Sequence, residues 1–196
     1  MNNRERRERQ KALLKLSISS AARSIVQKEG WEALTIRKVA GAVGYSAPTI
    51  YEFFENKTAL LYELMDIGFG EWLEEIQKAT KPARSGKDFV NAAAAATWRF
   101  AFGKKELYLL MHSLPDIAFG TDRAPTNARA VYQHLFAGLI RGKVNFHDPE
   151  VAVEMIWATM HGWISLTITG RIKGGRRRAE WLFFESVQML IHHFFD

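Results

Sequence analysis

No cysteine occurs anywhere in the chain, which excludes disulfides, thiol nucleophiles and thiolate metal sites and suits a reducing compartment. Proline is scarce, with five in 196 residues, and no long stretch alternates apolar with polar residues. Apolar residues recur three and four apart almost throughout, which is the period of helices. No stretch reaches the ~18 uninterrupted apolar residues of a membrane span. The opening run Arg4-Glu5-Arg6-Arg7-Glu8-Arg9 lacks the apolar core that follows such charges in a signal peptide. The expectation is an all-α, cytoplasmic protein with no membrane partner.

Metal and catalytic signatures are missing as well. The six histidines are His112, His134, His147, His161, His192 and His193, and none forms a His-x-x-x-His pair with a glutamate. His192 and His193 are adjacent, so on a helix they point about 100° apart and cannot clamp one ion. No glycine-rich phosphate loop or nucleophile elbow is present. No catalytic residue, metal or cofactor is expected, and the chain does not read as an enzyme.

What is abundant is apolar bulk and unevenly placed charge. The apolar fraction is 47%, with 13 Phe and 6 Trp, enough for a large buried core. Residues 1–57 hold eleven Lys/Arg against six Asp/Glu, and residues 58–196 hold sixteen against fifteen, so the net +6 sits almost wholly in the first third. Such a field serves a polyanion-binding surface, or it is simply a solvated face. The residues inside it decide which.

Punctuation inside the basic third predicts four helices. The first runs from about Arg6 to Glu29, with Leu14, Ile18, Ala21 and Ile25 on one face and Gly30 as its stop. Thr35 caps a second, Ile36 to Val43, and Gly44 ends it. Ser46 caps a short third helix with Pro48 in its first turn, and Asn56 caps a long fourth, from Lys57 to about Lys78. The second and third, joined by a short glycine-bearing turn, match a helix-turn-helix. The third helix opens with Ser46, Ala47 and Thr49, small residues suited to base edges in a major groove. Lys57, at a helix start, is placed for a phosphate.

This stretch, from about Leu16 to Met65, resembles the DNA-binding domain of the TetR family of bacterial transcriptional regulators. The resemblance is carried by Ala21-Ala22, Gly30, Leu34-Thr35-Ile36, Val39-Ala40, Val43-Gly44-Tyr45-Ser46, Thr49-Ile50-Tyr51, Phe54, Asn56-Lys57 and Leu60-Leu61. Phe53 departs from it, standing where the family often has His or Tyr, and a phenyl ring cannot donate to phosphate. The resemblance and the local chemistry together make Thr35, Arg37, Ser46, Ala47, Thr49, Tyr51, Phe53 and Lys57 the expected contacts to double-stranded operator DNA. The family architecture implies a small three-helix DNA-binding domain, residues 1–57 and running into the fourth helix. A larger helical domain for effector binding and dimerisation, residues 58–196, follows it, with about nine helices in all.

The C-terminal part predicts helices over about Lys87–Phe102, Lys104–Ser113, Asn127–Arg141, Asp148–Thr169 and Ala179–Phe195. Trp157 to Gly162 resembles a Trp…His-Gly signature in the effector domain of one TetR subgroup. Trp98, His112, Trp157 and His161 are therefore the expected walls of an effector site, with Phe102, Tyr108, Met111, Phe119 and Met160 as further candidates and Arg99 and the loop 115–123 at an entrance. Aromatic and methionine side chains also make ordinary cores, and the sequence leaves both readings open. The last helix carries two adjacent apolar stripes, Trp181/Phe184/Gln188/Ile191/Phe195 and Phe183/Val187/Leu190/Phe194. The helix before it offers Ala158, Gly162, Ser165 and Thr169 as a small-residue strip. Apolar surface on that scale predicts a two-fold interface through Gly162, Trp181, Phe184, Gln188 and Ile191, or a helix sandwiched inside one subunit. The leading expectation is a homodimeric repressor released by a small, largely apolar effector. The alternative is a DNA-binding regulator answering only to a protein partner or to its own concentration.

Overall fold

The computed structural model describes residues 2–114, 124–145 and 148–196, and the entrance loop, Phe119 and His147 lie outside that set. Nine α-helices and no strand occur among the described residues: α1 Asn3–Glu29, α2 Ile36–Val43, α3 Ala47–Tyr51, α4 Lys57–Thr80, α5 Gly86–Gly103, α6 Lys105–Ser113, α7 Thr126–Arg141, α8 Pro149–Ile168 and α9 Gly175–Phe195. They form two compact units. The first holds the chain up to Gly68 with the segment that starts at Glu106, and the second holds Phe69–Lys105 and the remainder to Asp196.

Capping residues set most of the helix starts. The side chains of Thr35, Ser85 and Asp148 accept from the backbone N–H of Lys38, Asp88 and Glu150, and Asn56 Oδ1 accepts from Ala59 at 2.9 Å. Ser46 stands at a cap position without making the bond, and its hydroxyl pairs with that of Thr49 at 3.0 Å. Two sequence expectations shift. The buried face of α1 is Ile18, Ser19, Ala22 and Val26. Ala21 and Ile25 lie at its edge, because the contact line drifts around a long helix. Helix α9 begins four residues before the expected Ala179, with Gly174 in the left-handed region as its cap. Three arginines in the first turn oppose the helix dipole and read as connector. Arg176 is held there in part by the Phe102 ring, 4.2 Å from its guanidinium.

In the first unit Leu34, Ile36, Val39, Ala40, Ile50, Phe54, Leu60 and Leu64 are buried around the α2–α3 corner. In the second, α9 buries Phe183, Val187, Ile191 and Phe194 against α5 and α8. Each is worth roughly 1.5–3 kcal/mol of apolar burial. Helix α5 and the end of α7 approach closely at glycines. A Cβ on Gly142 would run into the Gly86 backbone, and one on Gly138 into the Phe89 ring. Gly142→Ala is accordingly expected to cost about 1–3 kcal/mol, a fall of several degrees in Tm. Gly41→Ala, where an added methyl meets nothing, should lose no stability, and differential scanning calorimetry of both variants checks the contrast.

Helix α8 is long and apolar enough by length and composition to cross a membrane, yet it packs on α7 and α9. Its apolar excess lies on the outside. Ala158, Thr159, Gly162, Trp163 and Leu166 form an open shallow groove with Ser186, Met189 and Leu190 of α9. Leu166 is 40% exposed and Met189 74%.

Candidate functional site

The corner between α2 and α3 is built by one glycine and one buried contact. Gly44 takes a left-handed conformation, φ 73°, and its N–H closes on the Ala40 and Gly41 carbonyls. Tyr45 N–H then reaches the Ala40 carbonyl at 3.0 Å, so the chain reverses in three residues and α3 starts at once. Ile50 is fully buried with Val39 and Ala40, which locks α3 against α2. With that side spent on packing, the other side of α3 is open.

The expected DNA contacts all lie in the first unit, at α2, on α3 and its flanks, and at the start of α4. Thr35, Arg37 and Ser46 are exposed, Ala47, Thr49 and Phe53 are half-buried, and Tyr51 is 53% exposed. Tyr45, also about half exposed, was missed as a candidate because the turn position suggested only punctuation. Lys57 has a second occupation. Its Nζ donates to the Glu32 carbonyl at 2.8 Å, tying the start of α4 to the loop before α2. An ammonium has three N–H groups, so two remain. Lys38 pairs with Glu29 at 2.6 Å.

The expected effector residues divide. His112 belongs to the first unit, where its Nδ1–H donates to the Tyr108 carbonyl at 2.9 Å and its ring lies 4.4 Å from that of Tyr108. Tyr108 is buried, and burial pushes its phenol well above the ordinary range. Met111 and Met160 are fully buried. In the second unit Trp157 and His161 stack at 5.9 Å, and the Trp157 ring also meets Trp72 at 5.1 Å. Burial holds the His161 pKa below its ordinary value, which favours the neutral imidazole at pH 7. Trp72 was not singled out in the sequence, since nothing in the spacing of α4 and α8 brings it to Trp157. Trp98 is 2% exposed, packed on Phe102 at 4.4 Å and Phe183 at 4.8 Å. Its buried Nε1–H has no partner among the described residues. The indole N–H of Trp72 goes to Thr97 and that of Trp163 to Ser186.

Of the five expected interface residues, Gly162 lies in the open groove of α8 and α9. Trp181 is 60% exposed, and the Gln188 side-chain amide donates to Asn91. Ile191 is buried within the chain and Phe184 is half-buried, edge-on to Phe183. Trp181 and Phe184 sit about 80° and 140° around α9 from Met189. Met189, the most exposed apolar residue of α9, is thus rotated away from Trp181 and Phe184, and of that stripe only Ile191 is buried.

A basic helix-turn-helix unit joined to a larger helical unit defines the class, a DNA-binding regulator. Residues 18–64 match the family of bacterial regulatory proteins named tetR, and residues 90–191 match the tetracyclin repressor-like C-terminal domain. The chain belongs to the tetR family of transcription regulators, a family of regulators and not of enzymes. No curated protein matches it significantly. Among solved structures it is similar to a Rhodococcus protein of unknown function, with 20% identity, 93% of this chain and 96% of that one covered, and a TM-score of 0.79. A TetR family transcription regulator from Marinobacter aquaeolei shares 14% identity over 92% and 97% of the two chains, at a TM-score of 0.68. The regulator FadR from Bacillus subtilis, in complex with stearoyl-CoA, shares 16% identity over 90% and 97%, at 0.65.

Proposed function

We propose that the chain is a homodimeric, ligand-responsive repressor without catalytic activity, acting in the cytoplasm on a palindromic operator. The observation that carries the DNA-binding part is the open face of α3 beside a corner whose packing is complete. Residues 1–57 supply DNA contact, and residues 58–196 supply effector binding and pairing. Ser46, Ala47, Thr49 and Tyr51 read bases, Phe53 packs on sugar or a thymine methyl, and Thr35, Arg37 and Lys57 hold the backbone. Selection of bound duplex from a random pool tests this reading. Two inverted half-sites about one helical turn apart support it, and recovery of no enriched sequence defeats it.

The Lys57 role is separable. Lys57→Ala should weaken binding to every duplex nearly equally and reduce the salt slope by about one unit per chain. A lower Tm with an unchanged salt slope would assign Lys57 to the Glu32 tie alone.

The effector part rests on the unpartnered Trp98 N–H, a buried donor that an acceptor on a ligand would satisfy. Trp157 and His161 of the same unit supply further wall, and His112, in the first unit, is a candidate by itself. The ligand is largely apolar with an acceptor, since the four candidates include no Lys or Arg. The structure of FadR in complex with stearoyl-CoA, a regulator of similar fold, supports the existence of an effector. Ligand binding would shift the population toward a spacing of the two recognition helices that no longer fits successive grooves. The tight packing of Trp98 favours the alternative, a regulator controlled by a protein partner or by its own concentration. Thermal stabilisation by a compound panel separates the two.

A further inference from the structure

Helix α1 runs far past the core it serves. Its first buried residue is Ile18, and every residue from Asn2 to Leu13 is exposed. At 1.5 Å per residue the twelve helical residues before Lys15 project about 18 Å. The projection is made to be helical. Asn2 and Glu5 form a reciprocal capping box at its tip, and Glu5 precedes Arg9 by four residues, the favourable order on a helix.

Its charge is distinctive. Between Asn2 and Lys15 there are six Lys/Arg and two Glu, a net of +4 in a chain whose total is +6. Asn3, Arg4, Arg7, Glu8 and Lys11 share one surface of the helix. At 100° per residue this surface continues the line that buries Ile18, Ala22 and Val26 farther along, so basic groups stand where a core face would. The same line fixes the direction in which the surface looks. Lys15, one turn on from Lys11, holds its ammonium 5.6 Å over the Phe54 ring and pairs with Glu63 at 2.8 Å. Phe54 lies three residues beyond the last residue of α3. The basic surface of the projection therefore starts beside the recognition helix and looks to its side of the unit.

We infer that the α1 projection is a second DNA-binding element, in which Arg4, Arg7 and Lys11 contact the phosphate backbone outside the groove occupied by α3. This inference rests on the reading of α3 as a recognition helix. The partner is the sugar-phosphate backbone of duplex DNA, because flexible charged side chains at helical spacing match repeated phosphates, and these three, all exposed, are not held in a fixed frame for reading bases. Leu13 and Leu16 are exposed on the opposite side, which makes an anionic lipid surface the competing occupant.

The test is the variant R4Q/R7Q/K11Q in the full chain, with R4K/R7K as a charge-preserving control. Affinity is measured between about 50 and 300 mM salt for a duplex of random sequence and for one bearing the pool-selected site. The neutral variant should lower the salt slope by two to three units per chain and weaken both duplexes tenfold or more, with sequence preference unchanged. The control should behave as wild type, whereas with the neutral variant nuclease protection should shorten at the outer flanks. An unchanged slope, in a variant of wild-type helicity and with wild-type binding intact, overturns the inference and leaves the α3 reading standing. So does a change seen only with vesicles of anionic phospholipid. A wild-type chain that binds neither duplex removes both readings.

Discussion

The double variant Leu166→Glu/Met189→Glu should remain folded and become monomeric, and its affinity for the selected operator should fall by more than a thousandfold. Both side chains point out of the subunit, at 40% and 74% exposure, so their replacement removes little from the core. In a pair joined through α8 and α9 they lie in the groove around Gly162, where an added side chain meets nothing in the isolated chain. Two carboxylates per chain buried across that seam, each costing several kcal/mol unless paired, exceed what an interface of ordinary strength tolerates. Loss of pairing would remove the second half-site and with it the larger part of operator affinity. Light scattering and circular dichroism decide the case. A variant dimer of wild-type mass places the pairing face elsewhere, and a wild-type monomer at micromolar concentration removes it.

Truncation of the reading surface should act on specificity. Thr49→Ala or Tyr51→Ala is expected to cost about 1–3 kcal/mol on the selected site and far less on random duplex. Neither residue holds the corner, which depends on Ile50 and Gly44, so both variants should melt near wild type. Tyr51 is about half exposed, and its loss removes one aromatic platform. Thr49 shares a hydroxyl pair with Ser46, and its loss also frees that partner, so Thr49→Ala and Ser46→Ala in combination should not be additive. Equal losses on both duplexes would reassign these residues to backbone contact.

Much of the first unit was legible because its signals are local. Thr35, Gly44 and Asn56 announce helix ends within a few residues, and the family pattern fixes their order. In the second unit helix number and rough position were legible, and the facing of α9 was not. Phe183, Phe184, Val187 and Ile191 are all apolar, and no period in such a sequence says which of them meets α5 and which meets solvent. The meeting of Trp72 with Trp157 joins residues 85 apart in sequence on two helices, and only packing reveals it. The start of α9 was hidden by a Gly-Gly pair and three arginines, a run that local rules assign to a loop.

The crossing of α5 and α7 bears on how the chain can evolve. Gly86 and Gly142 meet backbone to backbone. A substitution at either position cannot be compensated at the other, since no residue is smaller than glycine. Drift at this crossing is closed in a way that drift at Trp98 or Trp157 is not, where one ring can be exchanged for another with repacking. The second unit therefore separates a fixed scaffold from replaceable packing, and descendants of the chain can vary the rings without moving these two helices.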